Sequence, residues 1–93
     1  MTNHIFEEIT EIIQDRISNP KEGSYVSYLI EKGIDKTLKK IGEEAAEVII
    51  AAKNNKTELT YEMADLWFHS LILLAQAGLT PEDIYKELAS RKK

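Results

Sequence analysis

Residues 66–75 set the hardest condition on how this chain can fold. Leu66, Trp67, Phe68, Leu71, Ile72, Leu73, Leu74 and Ala75 place apolar groups on nearly every side of one helix. Such a helix is expected to be buried all round, with Trp67 in the core or at an interface. Yet 93 residues supply only one domain, residues 1–93, with a single core. The uncovered side is therefore expected to pack against the same helix of a second copy, giving a homodimer.

The rest of the chain also follows a helical period. Ile5, Phe6, Ile9, Ile12 and Ile13 predict an amphipathic helix over 3–17 with one buried face, ended by Asn19-Pro20. Ser24 is placed to cap a short helix holding Tyr25, Tyr28, Leu29 and Ile30, which Gly33 stops. Asp35 is the expected N-cap of a long helix reaching about Lys53, with an apolar face of Leu38, Ile41, Ala45, Val48 and Ala52. Asn54-Asn55-Lys56 closes it. Gly42 lies inside that helix at a cost of about 1 kcal/mol relative to alanine, which close approach by another helix or a ligand would explain. Thr57 is expected to cap the next helix, which runs to about Gln76 and stops at Ala77-Gly78. Thr80-Pro81-Glu82-Asp83 then starts a last helix with Ile84, Leu88 and Tyr85 turned inward, ahead of the basic end Arg91-Lys92-Lys93. The sequence carries no alternating strand pattern, so the predicted class is all-α. A helical hairpin core with short flanking helices is completed as a four-helix-bundle-like homodimer.

Composition removes several functions. Without cysteine there is no disulfide, thiolate metal site or cysteine nucleophile. A net charge of −4 argues against a general nucleic-acid binder. No apolar run approaches the ~20 residues a membrane span needs, and residues 1–8 do not resemble a signal peptide, so a cytoplasmic location is expected.

Chemistry is concentrated along the hairpin. Glu44 and Glu47 flank the apolar face of the first long helix, and Glu62, Asp65 and His69 share a stripe on the second. Antiparallel packing of the two would bring four carboxylates together. Such a group repels itself without a cation, and a hard ion such as Mg²⁺ takes oxygen ligands and acts with substrate phosphates. The plainer reading is a solvated acidic face, but like charges at this spacing weaken a helix, and a purely structural design would intersperse lysines. For Glu43, on the outer side, a solvent or salt-bridge role and a metal role stand equally. His69 is expected to be a hydrogen-bonded histidine in a packed helix, and the sequence lacks the Glu-x-x-His motif of di-iron bundles. Lys36 and Lys40 either pair with the glutamates or contact phosphate, and Tyr25 and Tyr28 either pack or stack on a base.

The runs Ser24-Tyr-Val-Ser-Tyr-Leu, Lys32-Gly-Ile-Asp-Lys, Lys40-Ile-Gly-Glu-Glu-Ala-Ala-Glu-Val and Glu62-Met-Ala-Asp-Leu-Trp-Phe-His resemble the phosphoribosyl-ATP pyrophosphatase family of histidine biosynthesis. The likeness extends to Gly-Leu-Thr-Pro-Glu-Asp-Ile near the C-terminus, with Ile34 standing where members often have proline. The acidic elements, Glu43, Glu44, Glu47, Glu62 and Asp65, are also similar to those of the wider MazG-like all-α NTP pyrophosphatases. The resemblance implies Mg²⁺-dependent hydrolysis of the α,β-phosphoanhydride of phosphoribosyl-ATP, giving phosphoribosyl-AMP and pyrophosphate. On that footing Glu44, Glu47, Glu62 and Asp65 are expected to hold metal, and Glu44 or Glu47 to take the proton of the attacking water. Lys36, Lys40 and Tyr25 are expected to contact substrate. Many relatives are fused to the cyclohydrolase of the next step, an activity this chain is expected to leave to another polypeptide. Two alternatives are a housecleaning (d)NTP pyrophosphatase and a non-catalytic dimeric helical module whose acidic stripe binds a basic partner.

Overall fold

Four of the five helices start where a side chain accepts from a backbone amide at the helix N-terminus, and the other follows a glycine. The computed structural model describes residues 3–92, and among them it contains five helices and no strand. Residues 1 and 2 and Lys93 of the basic end lie outside the described residues. Helix α1 spans Ile5–Ser18, and Asn3 Oδ1 accepts from the Ile5 amide at 2.9 Å. Helix α2 spans Tyr25–Lys32, with Ser24 Oγ accepting from the Ser27 amide at 3.2 Å. Gly33, at φ 94°, ends α2 and immediately precedes α3, Ile34–Ala52. That left-handed backbone, open to glycine, lets the chain turn within one residue. Asp35 is consequently not the N-cap; it sits in the first turn of α3, where its charge favours the helix N-terminus.

Helix α4 spans Lys56–Gln76. Its N-cap is Asn55 and not Thr57: the Asn55 side-chain oxygen reaches the Glu58 amide at 2.8 Å, so the helix begins before Thr57. Gly78, at φ 77°, closes α4, with the Leu79 amide donating to the Leu74 carbonyl at 2.8 Å. Helix α5, Pro81–Ser90, begins with a capping box in which the Asp83 carboxylate accepts from the Thr80 amide at 2.9 Å.

The core sits between α1, α2 and the second half of α4. Ile13, Val26, Leu29, Leu71 and Ile72 are buried together, with Phe6, Ile9, Ile30, Phe68, Leu74 and Ala75 packed around them. Helix α3 packs chiefly on α4, and the short connection at 53–55 makes the pair antiparallel. Several burial expectations are corrected here. Within one chain, Ile5 and Ile12 of α1 are exposed, and residues 66–75 are not buried all round because Trp67, edge-on to Phe6 at 5.3 Å, is 51% exposed. Ile84, Tyr85 and Leu88 are also exposed, because α5 leans on α1, where Tyr85 donates to Glu7, and does not close over α4. With Trp67, Leu73 and Leu74 they line an open apolar groove of about 430 Å³.

Helix α3 is turned differently from its apolar pattern. Its buried positions are Thr37, Glu44 and Ala51, while Leu38 is 47% and Ile49 70% exposed. The inward face overlaps the expected one, with Ile41, Ala45 and Val48 half-buried, and is rotated toward Thr37, Glu44 and Ala51. Gly42 meets no close neighbour either: a Cβ built there has nothing within 4 Å.

Candidate active site

Because α3 turns the Thr37–Glu44–Ala51 stripe inward, Glu44 is only 7% exposed and lies against α4. There it meets Asp65 and His69. One ligand atom from each of these three residues lies within 4.8 Å of the others. Burial first, then the hydrogen bond with Asp65 and the negative charge of Asp65, hold the Glu44 carboxyl above its usual range against the opposing pull of Lys40 and His69. Two carboxyls so placed are better matched by a cation than by each other.

Lys40, one turn before Glu44 on α3, supplies the nearest positive side chain. Its Nζ is 3.6 Å from Glu44 Oε1 and 3.7 Å from Glu43 Oε1. Burial pulls the ammonium pKa down, but Tyr25, Glu44 and Glu43 outweigh it and leave it raised, so Lys40 stays charged. Glu43 is on the exposed side of the helix and, among the described residues, is tied only to Lys40.

His69 is 3% exposed and both ring nitrogens are engaged. Nδ1 lies 2.8 Å from the Asp65 backbone carbonyl and 3.4 Å from Asp65 Oδ1, and Nε2 lies 2.8 Å from the Tyr25 hydroxyl. A carbonyl only accepts, so Nδ1 carries the hydrogen; in the neutral ring Nε2 is then the acceptor and Tyr25 O–H the donor. The Tyr25 ring is edge-on to His69 at 5.6 Å and stacked on Tyr28 at 6.3 Å. This link between α2 and α4 joins residues 44 apart and was not legible in the sequence, although the Asp65–His69 spacing of one helical turn was a visible signal.

Of the other expected ligands, Glu47 and Glu62 stand outside this cluster. Glu47 is one turn from Glu44 along α3 and Glu62 one turn back from Asp65 along α4, so both stand on the side of the cluster nearer the connection. Glu47 is exposed and Glu62 half-buried, and neither belongs to the 4.8 Å group. Lys36, half-buried one turn before Lys40, makes no ion pair among the described residues.

The donor set fits a hard cation. Glu44 and Asp65 offer carboxylate oxygens, while His69 can offer nitrogen only by giving up a hydrogen bond. No described helix is long and apolar enough to cross a membrane.

Comparison with known proteins identifies the family. A family profile described as phosphoribosyl-ATP pyrophosphohydrolase matches residues 6–92. The phosphoribosyl-ATP pyrophosphatase of Pelotomaculum thermopropionicum is 56% identical over 89 residues, covering 95% of this chain and 91% of the relative. That of Leuconostoc mesenteroides subsp. mesenteroides is 50% identical over 91 residues, covering 98% of this chain and 80% of the relative. The histidine biosynthesis bifunctional protein HisIE of Thermoanaerobacter pseudethanolicus is 58% identical over 84 residues, covering 89% of this chain but 39% of the relative. The chain thus spans about two fifths of the length of such bifunctional relatives.

Proposed function

Since the chain belongs to the phosphoribosyl-ATP pyrophosphohydrolase family, we propose that it hydrolyses phosphoribosyl-ATP to phosphoribosyl-AMP and pyrophosphate, the second step of histidine biosynthesis. The observation that carries this reading is the buried Glu44 carboxyl set against Asp65, with Lys40 beside it, in a chain matched by the family over nearly its whole length. Glu44 and Asp65, with Glu47 and Glu62 one turn away, are the residues that would hold Mg²⁺. When bound, the ion supplies a Lewis acid that neutralises triphosphate charge and makes a water more acidic.

The chain's own residues do the rest. Glu44 or Glu47 takes the proton of the water that attacks the α,β-phosphoanhydride. The bridging P–O bond breaks and pyrophosphate leaves. Lys40 faces phosphate oxygens with a charge kept on by its carboxylate neighbours, and Lys36 extends that positive edge by one turn. Tyr25 borders the same space from α2.

The proposal includes one domain over residues 1–93, a cytoplasmic location, no nucleic-acid partner, and a homodimer with residues 66–75 at or near its interface. Trp67 and Ile49 support the dimer, since large apolar groups this exposed call for a covering surface. A cooperatively folded monomer by sedimentation at micromolar concentration would rule the dimer out.

The experiment that tests the function is Mg²⁺-dependent pyrophosphate release from phosphoribosyl-ATP, run beside a panel of NTPs and dNTPs. Preferential turnover of phosphoribosyl-ATP is expected. A preference for a common nucleotide would assign a housecleaning pyrophosphatase, and no divalent-ion-dependent turnover of any of them would return the acidic stripe to a binding role.

A further inference from the structure

We propose that His69 is a positioning residue that fixes Tyr25 as a hydrogen-bond acceptor toward the nucleotide, so that Tyr25 reads a donor group of the substrate and not a phosphate oxygen. This rests on the proposed nucleotide site and adds a role to it. The argument begins with the ring. The Asp65 backbone carbonyl takes the hydrogen of Nδ1, which leaves Nε2 as an acceptor and draws in the one proton of the Tyr25 hydroxyl.

A phenol has a single hydrogen. Once it is committed to His69, the outward side of the Tyr25 oxygen carries only lone pairs. Opposed to a phosphate oxygen, those lone pairs would repel; opposed to a hydroxyl or amino group, they accept. A nucleotide presents such donors on its ribose and, in adenine, on the exocyclic amine, and none on a fully ionised triphosphate. Tyr25 is 43% exposed while His69 is 3% exposed, so the tyrosine is the member of the pair a ligand can touch. Packing against His69 and Tyr28 holds the ring in place. Burial, opposed by Lys40 and reinforced by Asp65, Glu44 and Tyr28, raises the Tyr25 pKa, so the phenol keeps its proton at neutral pH.

The geometry also argues that His69 does not ligate metal. Using Nε2 for a cation would release Tyr25, and using Nδ1 would strip its hydrogen and leave the Asp65 carbonyl without a side-chain donor. The buried ring then serves as a strut from the metal-binding helix to the aromatic on α2.

Three variants separate the roles. His69→Gln keeps a side-chain acceptor for Tyr25, His69→Leu removes it, and Tyr25→Phe removes the donor. The binding probes, measured by calorimetry with Mg²⁺ present, are ATP, which carries ribose hydroxyls and an amine, and tripolyphosphate, which carries neither. His69→Leu and Tyr25→Phe should each weaken ATP by roughly ten-fold, the size of one lost hydrogen bond to a ligand, and should leave tripolyphosphate unchanged. The two changes combined should cost little more than either alone, and His69→Gln should recover most of the ATP affinity. In turnover the same variants should raise KM more than they lower kcat.

Ring ¹⁵N spectra of the protein without nucleotide should show Nδ1 protonated and Nε2 as acceptor, with Nε2 shifting in Tyr25→Phe. Equal weakening of ATP and tripolyphosphate would overturn the proposal, as would an Nε2–H tautomer, loss of Mg²⁺ affinity in His69→Gln, or a wild-type chain that binds neither probe. Failure to turn over phosphoribosyl-ATP while these binding and spectral results stand would reject the proposed reaction and leave the His69–Tyr25 assignment in place.

Discussion

Along α4, Leu71 and Ile72 lie in a core closed by Ile13, Val26 and Leu29, whereas about two turns earlier Asp65 lies against a buried glutamate from α3. Both regions bury a residue against the same helix. In the first, removing apolar surface from water is the stabilising term. In the second, two carboxyls are brought together at a cost that Lys40 only partly offsets. The contrast separates residues that hold the fold from residues the fold holds ready, and it predicts that substitutions in the two regions will fail in opposite ways.

The largest effect is expected in the apolar region. Ile72 is fully buried, and Ile72→Asp puts an unpaired charge where no partner is in reach, a loss of several kcal/mol, on the order of a small domain's whole stability. Circular dichroism should show loss of a cooperative melt. A melt close to that of the wild-type chain would mean the core is not where it is described.

In the acidic region stability and activity should part company. Asp65→Asn and Glu47→Gln each remove a proposed ligand together with a source of repulsion. Activity should fall by about 10² to 10³, the size of losing one preorganised electrostatic partner. The melting temperature without Mg²⁺ should stay level or rise slightly. Near-native turnover in both variants would reject the metal site, and lost stability with intact turnover would make the carboxylates structural.

Mg²⁺ itself should show the same contrast on a smaller scale. At ten times its dissociation constant it should add about 1.4 kcal/mol to the stability of the wild-type chain and nothing to a chain lacking the site. Its dependence on pH has a defined sign. Glu44 holds its proton more tightly in the folded chain than in the unfolded one, because of burial and then Asp65. The stability this contributes is present below the unfolded pKa and is lost as pH rises through the raised folded value. The apoprotein should therefore weaken across that window and the gain from Mg²⁺ should grow. Thermal melts of wild-type and Glu44→Gln protein, with and without Mg²⁺, check this; an identical pH slope in the two chains would remove Glu44 as the cause.

Much of the scaffold was legible because its punctuation is local. Ser24, Gly33, Gly78 and the Thr80-Pro81 start each act on amides within a few residues of themselves. Asn55 was mistaken for plain turn and Thr57 for the cap because both are able caps two residues apart, and only the path of the chain decides which reaches Glu58. That acidic residues of the two long helices meet follows from antiparallel packing of two acidic stripes, but which of the four do so does not: Glu44 meets Asp65, while Glu47 and Glu62 stay outside the group. Which stripe of α3 faces α4 does not follow either: periodicity gives the angular width of an apolar face but not the direction of its partner, and the fold turns Thr37, Glu44 and Ala51 inward while Leu38 stays open. Tyr25 and His69 meet only because the tertiary fold brings one residue of α2 within hydrogen-bond reach of α4, which no short-range pattern encodes.

Gly42 gives the smallest and sharpest test, because a helix-interior glycine on α3 has no justification within one chain. Nothing lies within 4 Å of where its Cβ would be, and its backbone is helical, so alanine meets neither a clash nor strain. For an isolated chain Gly42→Ala should therefore stabilise by about 1 kcal/mol through helix propensity alone. In the proposed homodimer the exposed face of α3, with Leu38 and Ile49, awaits cover, and glycine is the residue that lets another backbone come close. If a second copy crosses α3 at Gly42, the substitution should instead lower the melting temperature and shift sedimentation toward monomer as protein concentration falls. A gain of stability with an unchanged dimer would place the subunit contact elsewhere, on the groove formed by Trp67, Ile84 and Leu88. Either sign of this single-methyl change assigns one of two apolar faces to the partner, and with it the side of the acidic site that a second subunit can reach.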